Sequence, residues 1–344
     1  MPPDAMKHEV ARPEKGLRTH CFTVIAVCDS IRFGYIMLAR ARPRQEGSVA
    51  ADIARVDSAG RIKSFIELTK PRLASLLVVV AAASFYLASP ARPDWPRLIL
   101  ATLATGVLAA GVLALNSFSE RDSDALMRRT ASRPLPSGRI APRDALAFGA
   151  VMTALAVAFF TVFFGWSAGG VALFTFVSYN LLYTPLKQRT DAHTTIGALS
   201  GAMPPLLGWA CARGVLSADA WVLFGILFLW QYPHFLSIDT MYRDDYARAG
   251  IKVLPGRART GERATHAVML TALALLLIVG TAPFFAGMAG TVYLVGSLMA
   301  GAGFMAAGIR LVAMKTKKAA RVVLLASVTY LPLVFGLLVL DAVR

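Results

Sequence analysis

The stretch GVLAAGVLALNSFSERDSDALMRRTASRPLPSG, residues 106–138, changes character at its midpoint. Up to Leu115 it is small and apolar. From Asn116 it carries acids at short intervals, and then arginines. At about 1.5 Å of rise per residue, the apolar run over 97–117 can cross a hydrocarbon core of roughly 30 Å. A charged, helix-compatible segment therefore begins where a membrane span ends.

The rest of the chain agrees with that reading. Of 344 residues, 56% are hydrophobic and only 16% are charged, where soluble domains are nearer about 25% charged. Apolar runs recur at roughly 72–90, 97–117, 144–163, 167–184, 194–212, 220–238, 265–285, 290–310 and 321–340. The expected fold is an all-α polytopic membrane protein with nine transmembrane helices. The formal charge of +16 does not indicate nucleic acid, because the basic residues sit in short connections. Lys70, Arg72, Arg121, Arg128, Arg139, Arg143, Arg189, Arg263 and Lys315 fall on one side, against Arg92, Arg97 and Arg213 on the other. The positive-inside rule then places the N-terminus in the cytoplasm. Cys21, Cys28 and Cys211 have no disulfide or zinc spacing.

Residues 1–60 read as a basic, disordered N-terminal extension, distinct from a transmembrane domain over 64–344. The apolar patch at 21–38 is interrupted by Asp29 and Arg32 and has no cleavage site of signal-peptide type. A mis-assigned start, with Met37 as an alternative initiator, is one expectation for this region.

Asn116, Glu120 and Asp124 stand at i, i+4 and i+8, one helix face with steps of about 6 Å. Two carboxylates four residues apart repel, and desolvation at a membrane edge sharpens the repulsion. A hard cation such as Mg2+, which takes carboxylate and amide oxygens, removes the conflict. A solvated amphipathic helix is the ordinary reading of the same spacing. Arg128, Arg129 and Arg133 follow at once. Carboxylate-held metal beside guanidinium groups suits a diphosphate, although positive-inside charge accounts for arginines such as Arg139 and Arg143.

A second acidic stretch, WQYPHFLSIDTMYRDDYARAGIKVLPG (230–256), lies on the same side. Asp239, Tyr242 and Asp245 share a face, with Asp244 beside them and Lys252 beyond. Two acidic groups interleaved with cations suit a substrate with two phosphates and two or more Mg2+ ions. YTPLK (183–187) offers Tyr183 and Lys187 as phosphate contacts, or as ordinary interfacial anchors. His234 lies in an apolar span beside the acidic cluster, where a hydrogen-bonded structural role competes with ligand contact. A transporter would hold its acids at mid-span, whereas these gather in two connections.

These motifs resemble the UbiA-type intramembrane prenyltransferases. The Asn followed by acids at four-residue steps is similar to that family's first signature. The continuation Met127, Arg129, Thr130, Arg133, Pro134, Leu135 resembles its haem-farnesylating branch. FIELTKPRL (65–73), YTPLKQRTDAHTTIGALSGAMPPLLGW (183–209), LWQYPHF (229–235) and DDYARAGIKVLP (244–255) extend the likeness in order from about residue 64 to the C-terminus. The resemblance implies a nine-helix bundle in the bacterial inner membrane with its site toward the cytoplasm. It implies farnesyl transfer from farnesyl diphosphate to a vinyl group of haem b, giving haem O for terminal oxidase assembly.

In residue terms it implies Asn116, Glu120, Asp124, Asp244 and Asp245 as Mg2+ ligands. Arg129, Arg133, Lys187 and Tyr183 would face the diphosphate, and His234 is the candidate haem contact. A haem-biosynthesis or haem A synthase enzyme is the kind of partner implied, with membrane lipid around the bundle. Asp239 departs from the branch pattern, and DTMY (239–242) looks closer to enzymes with an aromatic or quinone-precursor acceptor.

Overall fold

The computed structural model describes residues 58–90, 92–190, 192–256 and 260–343. The chain divides into two units, Met1–Arg44 and Gln45–Arg344, and the described residues all belong to the second. The expectations for the N-terminal extension, Met37 included, lie outside the described residues except for its last three positions.

Among the described residues the structure is helical, with one isolated bridge between Ala289 and Ala342. The helices used below are α1 (Ser58–Leu68), α2 (Pro71–Ala88), α3 (Trp95–Leu126), α4 (Pro142–Phe164) and α5 (Trp166–Phe176). They continue with α6 (His193–Gly201), α7 (Met203–Arg213), α8 (Ala218–Met241) and α9 (Arg243–Arg248). The last three are α10 (Gly261–Val279), α11 (Thr291–Met314) and α12 (Lys317–Leu340).

Local chemistry sets many of the boundaries. Asp94 caps α3 by accepting from the Arg97 amide at 3.0 Å, with Pro96 in the first turn. Thr316 caps α12 through the Ala319 amide at 3.1 Å. Gly165, at φ 91°, turns the chain sharply from α4 into α5, a conformation that side-chain-bearing residues avoid.

Among the described residues, seven helical segments are long and apolar enough to cross a membrane. The other two expected spans are helical but broken. After α5 the chain widens into a π-helical turn, Val177–Tyr183, then closes with Thr184–Leu186. Pro185 has no N–H to continue the ladder, and the Thr184 hydroxyl donates to the Tyr179 carbonyl at 2.8 Å. The 194–212 stretch divides between α6 and α7 at Ala202, just before Pro204 and Pro205, which suit the first turn of a new helix.

Large apolar side chains such as Ile99, Leu103, Val162, Phe163 and Met299 face outward, as in a bundle solvated by lipid. Inside, Phe85, Phe160, Leu273, Tyr293 and Phe304 belong to one continuous core. Small residues let helices approach closely. A β-carbon at Gly208 of α7 would collide with the Ala81 carbonyl of α2. Asn180 ties the π turn to α3 by donating to the Val112 carbonyl at 3.0 Å.

Candidate active site

α3 runs unbroken past the end of its apolar run, so Asn116, Glu120 and Asp124 share a single helix. All three are buried, with residue exposures of 1%, 8% and 1%. The side chain of Asp122, between them in sequence, is 83% exposed. This excludes the solvated amphipathic helix, whose three polar residues would face water together.

Asn116 and Glu120 meet partners from distant parts of the chain, and Asp124 meets one from the turn that follows α3. Lys187 Nζ lies 3.0 Å from Glu120 Oε1. Arg133 Nη1 donates to Asp124 Oδ2 at 2.7 Å, and the turn after α3 makes this contact reachable. Thr130 Oγ1 bends that turn back by donating to the Asp124 carbonyl at 2.8 Å. Lys70 Nζ donates to Asn116 Oδ1 at 2.8 Å, while Asn116 Nδ2 donates to Thr184 Oγ1 at 3.2 Å.

By sequence alone Lys70 is one of the basic residues that mark topology. It holds a left-handed conformation, φ 50° and ψ 59°, immediately before Pro71. That conformation is strained for a β-carbon-bearing residue and doubly so before proline. The packing holds it there, and the ammonium is thereby delivered to Asn116. Burial lowers the Lys70 pKa to about 8, partly opposed by the Glu120 carboxylate. For Lys187, burial pulls downward, but Glu120 with Tyr183 and Tyr246 pulls harder, so its pKa rises.

The second acidic group splits. Asp245 pairs with Arg248 within α9 and is largely covered. Asp244 pairs with Lys317 at 3.1 Å, and its side chain is 63% exposed. The hydrogen bond from Lys317 and its charge lower the Asp244 pKa. The residue that reaches inward is Asp239, buried at the end of α8, with Oδ2 unpartnered among the described residues. Lys187 Nζ stands 5.8 Å from the Tyr183 ring and 5.9 Å from that of Tyr246. Arg129 lies over the Tyr242 ring at 4.9 Å, joining the turn after α3 to the end of α8.

Tyr183 also lines a cavity of about 680 Å3 bounded by α2, α3, α6, α7, α8 and α12. Its wall is apolar over most of its extent, and His234, Trp230 and Gln231 face it from α8. The His234 ring stacks on Trp230 with centroids 4.8 Å apart, and its Nδ1 lies 2.8 Å from Ser327 Oγ. Of the expected diphosphate contacts, Tyr183 borders this cavity together with His234, and Lys187 lies 5.8 Å from the Tyr183 ring.

Among the described residues, no three His, Cys, Asp or Glu side chains converge as a metal cage. The donors present are hard oxygens on one helix face, and Asp124 Oδ1 has no hydrogen-bond partner among the described residues. This donor set fits a metal that takes one or two carboxylates and completes its shell with substrate phosphates and water.

Residues 76–331 match the profile of the UbiA prenyltransferase family. A protein named protoheme IX farnesyltransferase from Solibacter usitatus is 43% identical over 292 residues, covering 81% of this chain and 99% of the relative. Two solved structures share the fold. One is from work on digeranylgeranylglyceryl phosphate synthase, with TM-score 0.69 and 17% identity over 82% of this chain and 98% of that one. The other is a UbiA homolog from Archaeoglobus fulgidus bound to GPP and Mg2+, with TM-score 0.57 and 14% identity over 80% and 99%. The profile match spans most of the chain, and the likeness to the bacterial relative runs over nearly its whole length. The chain belongs to the UbiA prenyltransferase family.

Proposed function

We propose that this protein transfers the farnesyl group of farnesyl diphosphate to a vinyl group of haem b, giving haem O and diphosphate. The carrying observation is the buried Asn116–Glu120–Asp124 face, met by Lys70, Lys187 and Arg133, beside a large apolar cavity. The polar end suits a diphosphate and the apolar end suits a prenyl chain and a porphyrin. Relatives named protoheme IX farnesyltransferase, at about 40% identity, support haem as acceptor.

Asn116, Glu120 and Asp124 would hold Mg2+, with Asp239 as a fourth oxygen donor and Asp245 more remote. Bound there, the metal would neutralise charge developing on the departing diphosphate. Lys70, Lys187 and Arg133 would bind phosphate oxygens, and Arg129 would close the site from its stack on Tyr242. The bond from farnesyl C1 to oxygen breaks, and its electron pair leaves with the diphosphate. The vinyl π electrons form the new C–C bond, a water oxygen adds to the inner vinyl carbon, and a proton is released. The cavity wall keeps other water from the allylic cation, and His234 contacts the haem.

The two broken helical stretches also cross the membrane in this reading, giving nine crossings with a cytoplasmic N-terminus. The site then faces the cytoplasm of a bacterial inner membrane, where a haem A synthase or other haem-handling enzyme would be the neighbour. Buried Asp239 favours a second reading, an aromatic or quinone-precursor acceptor. Purified protein in detergent, given haem b, farnesyl diphosphate and Mg2+, should produce a pigment heavier by a farnesyl group plus a hydroxyl group. Prenylation of an aromatic acid with haem unchanged in mass would overturn the haem reading.

A further inference from the structure

We infer that Ser327 on α12 is a positioning residue: it fixes the tautomer of His234 so that Nε2 keeps its lone pair for haem iron. The inference rests on the reading of the cavity as the haem site.

The observation is a proton count. Ser327 Oγ lies 2.6 Å from the Leu324 carbonyl oxygen and 2.8 Å from His234 Nδ1. A serine hydroxyl has one proton to give. Two oxygens 2.6 Å apart with no proton between them would oppose lone pair to lone pair, so the hydroxyl proton lies toward Leu324. Ser327 Oγ is then an acceptor toward the ring, and His234 Nδ1 must carry the hydrogen. In a neutral imidazole that leaves Nε2 unprotonated.

The surrounding packing makes this a fixed arrangement. Ser327 is fully buried, and its carbonyl accepts from Trp230 Nε1 at 2.7 Å. Trp230 in turn stacks on the His234 ring at an interplanar angle of 20°. Three contacts thus lock the ring edge that bears Nδ1 against α12. Nε2 has no hydrogen-bond partner among the described residues, and His234 lines the cavity together with Val328 and Leu331 of α12. An imidazole whose other N–H is held by an oxygen is an oriented and more basic metal ligand. Without the hydroxyl the ring divides between tautomers, and the form protonated at Nε2 cannot bind iron.

Two measurements test this on the full-length protein. Histidine-selective 15N labelling in nanodiscs, with His234→Gln identifying the resonance among five histidines, should show His234 protonated at Nδ1. Ser327→Ala should populate the Nε2-protonated form, and Ser327→Thr should restore the original pattern. Haem b titration followed at the Soret band, without farnesyl diphosphate or Mg2+, should show affinity about tenfold weaker in Ser327→Ala. Thermal melts confirm that each variant is folded.

A wild-type His234 protonated at Nε2, or a Ser327→Ala protein with unchanged tautomer and haem affinity, overturns the positioning role and leaves haem transfer standing. A His234→Ala protein that binds haem b with the wild-type spectrum overturns the haem-contact reading itself.

Discussion

The side-chain amide of Asn116 donates to the hydroxyl of Thr184 at 3.2 Å, and that hydroxyl donates onward to the Tyr179 carbonyl at 2.8 Å. With its proton spent on Tyr179, Thr184 can only accept, so it selects the NH2 of Asn116 and turns Oδ1 toward Lys70. Thr184→Val should therefore unpin the amide. The Mg2+ concentration for half-maximal turnover should rise about tenfold, with Thr184→Ser restoring it. A metal titration of activity, alongside a thermal melt, checks the outcome.

Lys187 and Glu120 form a covered pair with side-chain exposures of 15% and 10%. Removing one partner strands the other charge, at a cost of about 3–5 kcal/mol. Lys187→Met should lower the melting temperature in Mg2+-free detergent, and the double variant Lys187→Met/Glu120→Gln should recover most of the loss. Equal melting of the single and double variants would show that the two groups do not depend on each other.

Asp124→Asn keeps the side chain's shape and an oxygen for Arg133 but removes the charge available to a metal. Turnover should fall about a hundredfold or more, with expression and melting close to wild type. Full activity in this variant would exclude the face as the metal site.

Gly208→Ala places a methyl group against the Ala81 carbonyl. α2 and α7 both line the cavity, through residues such as Val80 and Leu207. Overpacking of this kind costs about 1–3 kcal/mol, so the variant should melt earlier and show a raised KM for haem b. Parallel melts and steady-state assays measure both effects.

In the proposed function, metal and haem would engage different ends of the site. Chelation with EDTA should abolish farnesyl transfer while leaving the Soret titration by haem b unchanged, and added Mg2+ should restore transfer. Loss of haem binding on chelation would mean that the two ends are not separable.

Seven of the nine expected spans, among the described residues, were legible as single helices because lipid demands long apolar helices, and that demand is written residue by residue. The i, i+4, i+8 face of Asn116, Glu120 and Asp124 was legible for a similar reason, since helical spacing is local. The partners of that face were less so. Lys70 contacts Asn116 across 46 positions, a relation fixed by the packing of α2 on α3. Its one local signal was the lysine before Pro71, in a conformation that only the folded chain imposes. The proline pair at 204 and 205 stands just after the break between α6 and α7, inside a stretch that reads by its apolar run as one span. The π turn had no comparable marker beyond Pro185. Asp244 and Asp239 show the limit of reading by motif. Five residues apart, one reaches the surface and the other the interior, because α8 ends between them at Met241.

The ion pairs on the α3 face have a consequence for how metal and diphosphate bind together. Lys187 and Arg133 hold carboxylate oxygens that a metal would need, and Lys70 holds the amide oxygen of Asn116. In the proposed site, a metal taking those oxygens would release three cationic groups, and a diphosphate drawing those groups away would uncover the oxygens. Each ligand would therefore lower the cost of admitting the other, and by thermodynamic reciprocity the gain would be the same in either order. The two should load as a cooperative unit, each binding weakly when offered alone.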